Sequence, residues 1–313
     1  MTPRLSILEF GNIDPPLCYA HDVISHLFEY VSLLDELGYY RFWLSEHYSP
    51  EFAWYTPEIL LPLLAGHSDR IKIGQAGVLL NYHSSLKVAH NFSTLSALFP
   101  ERIDLGLVPA YTSDEASKAL TDKENQPLTT DFKRKVIEIF KLLNGDPINN
   151  NNPDSLHLPL QGTYKPHVWF LGVSESSVPY AIDYKANFCL SLFHPGANHP
   201  RQLATVQKYK DGFFKKHKEK PTCVISLQCL CSNDVEKIEH WRLKFKTKPE
   251  QPNGIVIGEP SECVTRLLSI AEMYGVEEIV LNIPDSSLSV KKETVKLIGQ
   301  EMTQKSEKLQ TYF

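Results

Sequence analysis

The chain carries the stretch YRFWLSEHY at residues 40–48, in which a short apolar run ends abruptly in polar residues. The apolar run at residues 40–44 predicts a strand that is buried on both faces, as in a parallel sheet. A helical pattern at residues 19–37 precedes it and ends at Gly38, a common C-terminal cap. The chain therefore passes from a helix into a buried strand and then into a polar strand end.

The same alternation of helix and buried strand extends over the whole sequence. Apolar runs predict seven further strands, at residues 5–8, 71–80, 102–107, 167–171, 187–193, 222–230 and 278–281. Helical spacing of apolar residues predicts helices between them, including residues 86–99, 131–143, 199–214, 234–245, 260–274 and 289–310. The polar stretches at residues 149–152 and 246–258 contain or adjoin prolines, and they predict surface loops.

Eight strands that alternate with helices favour a closed (β/α)8 TIM barrel over an open, doubly wound sheet. The open sheet would need a G-x-G-x-x-G loop after its first strand to bind a dinucleotide, whereas residues 10–15 read FGNIDP. Barrels of this kind often exceed about 250 residues as one unit. We therefore expect a single domain over residues 1–313.

Composition narrows the possible partners and the cellular location. A formal net charge of −5 gives no basic surface for nucleic acid. The sequence has no apolar run of about 20 residues and no signal-peptide pattern at its start, so we expect a cytoplasmic protein without membrane contact. Six cysteines are too few for a disulfide framework, and we expect buried, reduced thiols and no metal site.

Polar residues at strand ends are the candidates for function, because barrel enzymes place their active sites at the carboxyl ends of the strands. His47 follows the second strand, where an imidazole beside the Glu46 carboxylate could act as a general acid or base. Ser174, Ser176 and Ser177 follow the fifth strand. Their hydroxyls could bind a phosphate at a helix N-terminus or simply cap that helix, and the sequence leaves both readings open.

Other polar and aromatic residues near strand ends allow two interpretations each. His83 is either a polar group at the barrel mouth or the entry to the third helix, and the second is favoured. Asp104 follows Arg102 within a strand, where a buried ion pair within the barrel is favoured over a catalytic role. The aromatic side chains of Phe52 and Trp54 could line a pocket for a flat or apolar ligand, or serve only in packing.

Several segments, in the same order and spacing, resemble the luciferase-like flavin-dependent monooxygenase family. They are LGYYRFWLSEHY at 37–48, RIKIG at 70–74, LKVA at 86–89, LFPERIDLGL at 98–107, VWFLG at 168–172 and VIGEPSE at 256–262. The resemblance spans nearly the whole chain. It implies a (β/α)8 barrel, usually a homodimer formed through its early helices, that binds reduced FMN supplied by a separate flavin reductase. Such enzymes react the flavin with O2 to form a peroxyflavin that oxygenates a small organic substrate.

The resemblance also implies roles for individual residues. The catalytic group is expected to be His47 with its neighbours Glu46 and Tyr48. The flavin ring is expected to rest on the pair Ala76-Gly77, which is often joined by a cis peptide bond in the family. The residues expected to bind the rest of the cofactor are Gly172, Ser174, Glu175, Ser176 and Ser177, and those expected to contact the substrate are Trp54, Tyr111 and His194.

The chain departs from the family pattern at three positions. Relatives commonly have a second histidine where this chain has Tyr48, a Gly-Arg pair where it has Val108-Pro109, and Ala-Glu-Gln where it has the sequence AHN at 89–91. An arginine pairs bidentately with phosphate, so its loss should weaken flavin binding. Two alternatives therefore stay open, a non-catalytic or flavin-deficient subunit and an oxidoreductase that depends on the deazaflavin F420.

Overall fold

Eight parallel strands close into a barrel in this computed structural model of the protein. It describes residues 2–121, 131–149, 155–160, 162–194, 199–246 and 254–310. The strands are β1 Arg4–Glu9, β2 Arg41–Leu44, β3 Lys72–Leu79, β4 Ile103–Val108, β5 His167–Gly172, β6 Asn187–Ser191, β7 Cys223–Cys231, β8 Ile255–Gly258 and β9 Glu278–Asn282. The helices are α1 Ala20–Glu36, α2 Leu61–Gly66, α3 Ser85–Leu98, α4 Asp114–Thr121, α5 Phe132–Leu143, α6 Val178–Asp183, α7 His199–His217, α8 Val235–Lys244, α9 Pro260–Tyr274 and α10 Leu288–Gln310.

The strand order shows how the barrel closes. From β6 the sheet runs through β5, β4, β3, β2 and β1 to β9 and β7, and β7 then pairs with β6. All of these pairings are parallel, and β8 pairs only with β7, beside the barrel. The fold is therefore the (β/α)8 barrel that the sequence predicts.

The strand β2 shows why the apolar runs in this sequence form barrel strands. Successive side chains of a strand point to opposite faces. Phe42 and Leu44 pack in the layer between barrel and helices, whereas Trp43 lies inside the barrel with Trp169 and Val280. Both faces are buried, so nearly every position of the strand is apolar.

An ionic cluster fills the barrel interior at the amino-terminal half of the strands. The Arg41 guanidinium donates to the Asp104 carboxylate over 2.6 Å and, through two nitrogens, to the Glu278 carboxylate. The indole N–H groups of Trp43 and Trp169 also donate to Asp104, over 2.8 and 3.1 Å. The charges of Asp104 and Glu278 outweigh the cost of burial and raise the pKa of Arg41. Hydrogen bonds of this cluster thus join four strands, β2, β4, β5 and β9.

The structure confirms a buried ion pair at Asp104, and its partner is Arg41 rather than the neighbouring Arg102. Arg102 precedes β4 and donates instead to the carbonyl oxygens of Ala65 and Ile71 and to Ser68. Because Arg102 lies just before the first residue of β4, its side chain does not follow the alternation of that strand into the barrel interior.

Two elements are absent from the predictions made from the sequence. The strand β8 occupies the end of the predicted loop at 246–258, and the helix α4, which follows β4, is not among the predicted helices. The apolar residues of β8 continue the sheet beyond the barrel by pairing with Gln228 to Cys231 of β7. Of the predicted loop at 149–152, only Asn149 belongs to the described residues, and residues 247–253 lie outside them as well.

The sequence predicts buried, reduced cysteines and no segment that crosses a membrane. All six cysteines are free and buried, as predicted. Burial raises the pKa of several of them, including Cys189 and Cys223, which keeps these thiols protonated at neutral pH. Among the described helices, none combines the length and the apolar character needed to cross a bilayer.

Candidate active site

A cavity of about 300 Å³ opens at the carboxyl ends of the barrel strands. Its walls are mostly apolar, and seven strands or the segments after them contribute to it. The lining residues are Leu8, Phe10, Glu46, His47, Ala76, Gly77, Leu79, Val108, Pro109, Ala110, Leu171, Gly172, Val173, Ser174, Ser176, Ser177, Cys189, Ser191, Phe193, His194 and Ser226. Barrel enzymes bind their ligands at this end, so we treat it as the active-site cavity.

The cavity brings together most of the site residues that the sequence singles out. His47 follows β2, Ala76 and Gly77 lie in β3, and Ser174 and Ser176 follow β5, yet all five line the same space. Parallel strands present their carboxyl ends on one side of the barrel, which is why residues so distant in sequence converge.

The His47 imidazole lies in an aromatic wall of this cavity. Its ring centroid is 5.0 Å from those of both Phe10 and Phe52. Burial lowers the pKa of His47, and the nearby His194 lowers it further, against a smaller opposing effect of Glu46. The imidazole is therefore neutral at pH 7 and able to accept a proton.

Glu46 does not bond to His47, contrary to one expectation from their adjacency. Oε2 of Glu46 accepts hydrogen bonds from Gln75 Nε2 over 2.8 Å and from the Leu79 backbone N–H over 3.1 Å. Oε1 accepts one from the Tyr48 hydroxyl over 2.9 Å and lies 2.7 Å from His83 Nε2. None of these four partners is His47, so the carboxylate acts on the imidazole through its charge.

The pair Ala76-Gly77 forms part of the wall, where its largest side chain is a methyl group, and is joined by a cis peptide bond. A Cβ atom at Gly77 would lie 2.9 Å from Val108 Cγ1 and 3.1 Å from Leu171 Cδ1. Such distances are well inside van der Waals contact, so a larger residue at this position would have to displace the side chains of Val108 and Leu171. Glycine therefore allows these side chains to approach the wall closely.

Serine hydroxyls lie at the rim of the cavity, after β5. The hydroxyls of Ser174 and Ser176 are 3.2 Å apart, and Ser177 donates to the Leu171 carbonyl over 3.2 Å. No side-chain capping hydrogen bond is made by Ser174, so its hydroxyl is held only by its neighbour. Glu175 does not line the cavity and points to Lys208, at 3.0 Å. The hydroxyls of Ser174 and Ser176 thus lie at the cavity and bond to each other rather than to a backbone group.

Several lining residues were not anticipated from the sequence. They include Cys189, Ser191 and Ser226, which belong to β6 and β7. Ser191 Oγ is buried and has no hydrogen-bond partner among the described residues. The rule that barrel sites collect at strand ends would have pointed to Ser191, since it is the last residue of β6.

Four residues expected at the site do not line the cavity, and Glu175, described above, is one of them. Trp54 is buried and donates from Nε1 to the Ser45 carbonyl over 3.0 Å, packed against Gly11 rather than in the cavity. Tyr111 is 56% exposed and does not line it. Tyr48 contacts the cavity only through its bond to Glu46. Neither Trp54 nor Tyr111 therefore fills the cavity.

Among the described residues, no group of three or more His, Cys, Asp and Glu side chains is arranged to hold a metal ion. His47 and His194 face the cavity with only one carboxylate, Glu46, on its wall. That carboxylate already accepts four hydrogen bonds. The polar groups of the site are thus suited to hydrogen bonding and proton transfer.

Comparison with known proteins agrees with this geometry. Residues 4–266 match the model of the luciferase-like monooxygenase family. A luciferase-like monooxygenase of Escherichia coli strain K12 is 28% identical over 284 residues, covering 88% of this chain and 82% of the relative.

Two solved structures share the fold. The crystal structure of apo-MsnO8 superposes with a TM-score of 0.80 at 22% identity, covering 96% of this chain and 98% of the other. The oxygenating constituent of 3,6-diketocamphane monooxygenase from Pseudomonas putida, solved in complex with FMN, gives a TM-score of 0.72 at 15% identity, covering 96% and 98%. The chain belongs to the luciferase-like monooxygenase family.

Proposed function

We propose that the protein is a flavin-dependent monooxygenase that uses reduced FMN and O2 to oxygenate a small organic substrate. One observation carries the proposal: His47, the Ala76-Gly77 wall and the hydroxyls of Ser174 and Ser176 line one largely apolar cavity. The reduced flavin would come from a separate reductase, because the chain lacks the G-x-G-x-x-G loop with which a dinucleotide donor is commonly bound.

The residues of the cavity fit FMN in size and chemistry. Ligand pockets of about 300 to 1,000 Å³ hold molecules of this class, and the cavity lies at the lower limit of that range. The small side chains at Ala76 and Gly77 leave room for a planar ring against this wall, and Ser174 and Ser176 offer hydroxyl donors to a phosphate at the rim. These donors are neutral, whereas an arginine would form charge-assisted bonds, so we expect binding to be weak and reversible.

The side chains of the cavity would each contribute to the reaction in a different way. When bound, the reduced flavin supplies two electrons to O2. The apolar residues Leu8, Phe10 and Phe193 exclude water from the reacting atoms, which strengthens every hydrogen bond inside. Neutral His47 can take up a proton at its ring nitrogen and return it during the same turnover.

An anaerobic titration with reduced FMN tests the proposal. We expect saturable binding in the micromolar range and, once a flavin reductase and O2 are added, substrate-dependent O2 consumption. Absence of any spectral or calorimetric change would contradict the proposal and favour a non-catalytic subunit. Binding of reduced F420 in place of FMN would instead point to a deazaflavin-dependent oxidoreductase.

We further propose that the protein forms a homodimer through its early helices. Ile59 and Leu63, next to and within α2, and Leu98 at the end of α3 are 65%, 54% and 64% exposed. Large apolar side chains exposed in neighbouring elements are typical of protein interfaces. Sedimentation equilibrium should give the dimer mass for the native chain and the monomer mass after Leu63→Arg. A native monomer at micromolar concentration would contradict this.

A further inference from the structure

A second cavity of about 310 Å³ lies behind the wall of the active site, between β3 and α3. Glu58, Gln75, Tyr82, His83 and Lys87 contribute its polar lining. The carboxylate of Glu46 separates it from the active-site cavity, since Glu46 lines the first cavity and is bonded to Gln75 and His83 of the second.

The second cavity carries buried polar atoms that lack a partner. Gln75 is only 2% exposed, and its Oε1 atom accepts no hydrogen bond within the described chain. Oε2 of Glu58 is likewise buried and unpartnered there. Both residues line the cavity. Buried oxygen atoms of this kind are usually bonded to ordered water, and the volume would hold about ten molecules at roughly 30 Å³ each.

His83 connects this space to the active site. Its Nε2 atom lies 2.7 Å from Glu46 Oε1, and its side chain is 23% exposed. The charged groups around it are Glu46 after β2, Glu58 before α2, Lys87 on α3, and Lys135 on α5, whose Nζ bonds to the His83 carbonyl. Burial lowers the pKa of His83, but the hydrogen bond and charge of Glu46 outweigh it and raise the pKa.

We propose that His83 and Glu46 form a proton relay between water in the second cavity and the active-site cavity. The inference rests on the proposed monooxygenase function. With a bound reduced flavin anion supplying a hydride equivalent, O2, one proton and the substrate would give oxidised flavin, the oxygenated product and water. Charge balances only if one proton enters per turnover. The His83 imidazolium would give this proton from Nε2 to Glu46 Oε1, and Glu46 would release it into the active-site cavity that it lines. Neutral His83 would then be reprotonated by a hydronium ion of the water in the second cavity.

A proton relay explains why a carboxylate, that of Glu46, separates the two cavities, whereas packing alone does not. A carboxylate closed off by apolar residues would have no route to solvent, whereas Glu46 touches the active-site cavity and contacts a titratable imidazole on its other side. A structural His83 would only keep Glu46 in place. Such a role predicts an activity loss that is the same at every pH and that no external base restores.

The experiment compares His83→Ala with Asn91→Ala, which removes another side chain lining the second cavity. We expect reduced-FMN binding within twofold of the native protein in both. In His83→Ala, kcat should fall at least about tenfold, as expected for loss of one proton-transfer group. The fall of native kcat at alkaline pH, set by deprotonation of His83, should disappear. Added imidazole should restore kcat, whereas Asn91→Ala should be unaffected.

Three results would overturn the relay. The first is a pH dependence of kcat in His83→Ala that equals that of the native protein, and the second is a loss of kcat that imidazole does not restore. The third is a crystal structure of the native protein with no ordered water on Gln75 Oε1 or Glu58 Oε2. The crystal structure does not depend on flavin chemistry. If the native protein does not bind reduced FMN at all, the proposed function fails first and the relay fails with it, so the two failures are distinguishable.

Discussion

Removing the rim hydroxyls should weaken the binding of FMN but not of riboflavin. The double change Ser174→Ala with Ser176→Ala deletes two donors that lie 3.2 Å apart at the cavity rim. A hydrogen bond to a charged group contributes about 1.5 to 3 kcal/mol. Ser176 is exposed and each hydroxyl loses its present partner on binding, so we take the lower value, about 1.5 kcal/mol each.

The magnitude and the control follow from that value. About 3 kcal/mol corresponds to a weakening of roughly 150-fold, since 1.4 kcal/mol is tenfold in a dissociation constant. Anaerobic titrations with reduced FMN and reduced riboflavin measure the difference directly, because riboflavin lacks only the phosphate. The reasoning is refuted if both ligands weaken equally, or if the affinity for FMN is unchanged.

Three further perturbations test other parts of the structure. His47→Asn should lower kcat about 10²- to 10⁴-fold with unchanged FMN binding, and native activity should decline as falling pH protonates His47; stopped-flow kinetics measures both. Burial tends to raise the pKa of Asp35, but hydrogen bonds from the backbone N–H groups of residues 69–71 outweigh burial, so the pKa is lowered. Asp35→Ala should therefore cost about 1 to 3 kcal/mol in urea unfolding at pH 7, and less as pH falls through the folded pKa. Gly74→Ala would place a Cβ 2.5 Å from the Asp104 carbonyl, and should cost about 1 to 3 kcal/mol in the same assay.

The barrel follows from local patterns in the sequence. The apolar run at residues 40–44 and its counterparts specify strands buried on both faces, and Gly38 follows the end of α1 as expected. The exception is β8, whose residues follow a polar, proline-containing segment and therefore read as loop. Its pairing with β7 depends on a tertiary contact that no local pattern contains.

The sequence predicts which residues lie at the candidate site, but not which residues they form hydrogen bonds with. Strand-end reasoning finds His47 and Ser174 because topology alone brings strand ends together. The bonds of Glu46 to Gln75 and His83 join residues 29 and 37 positions apart, and the bond of Arg41 to Glu278 spans 237. Such pairings depend on which strands become neighbours and on rotamers, so adjacency to His47 suggested the wrong partner for Glu46.

We propose that the ends of strands β2, β3 and β5 build one cavity for reduced FMN. A crystal structure of the protein grown anaerobically with reduced FMN would locate the flavin. We expect the ring between His47 and the Ala76-Gly77 wall, with the phosphate within hydrogen-bond distance of the Ser174 and Ser176 hydroxyls. A ring bound outside this cavity, or a phosphate with no contact to either serine, would contradict it.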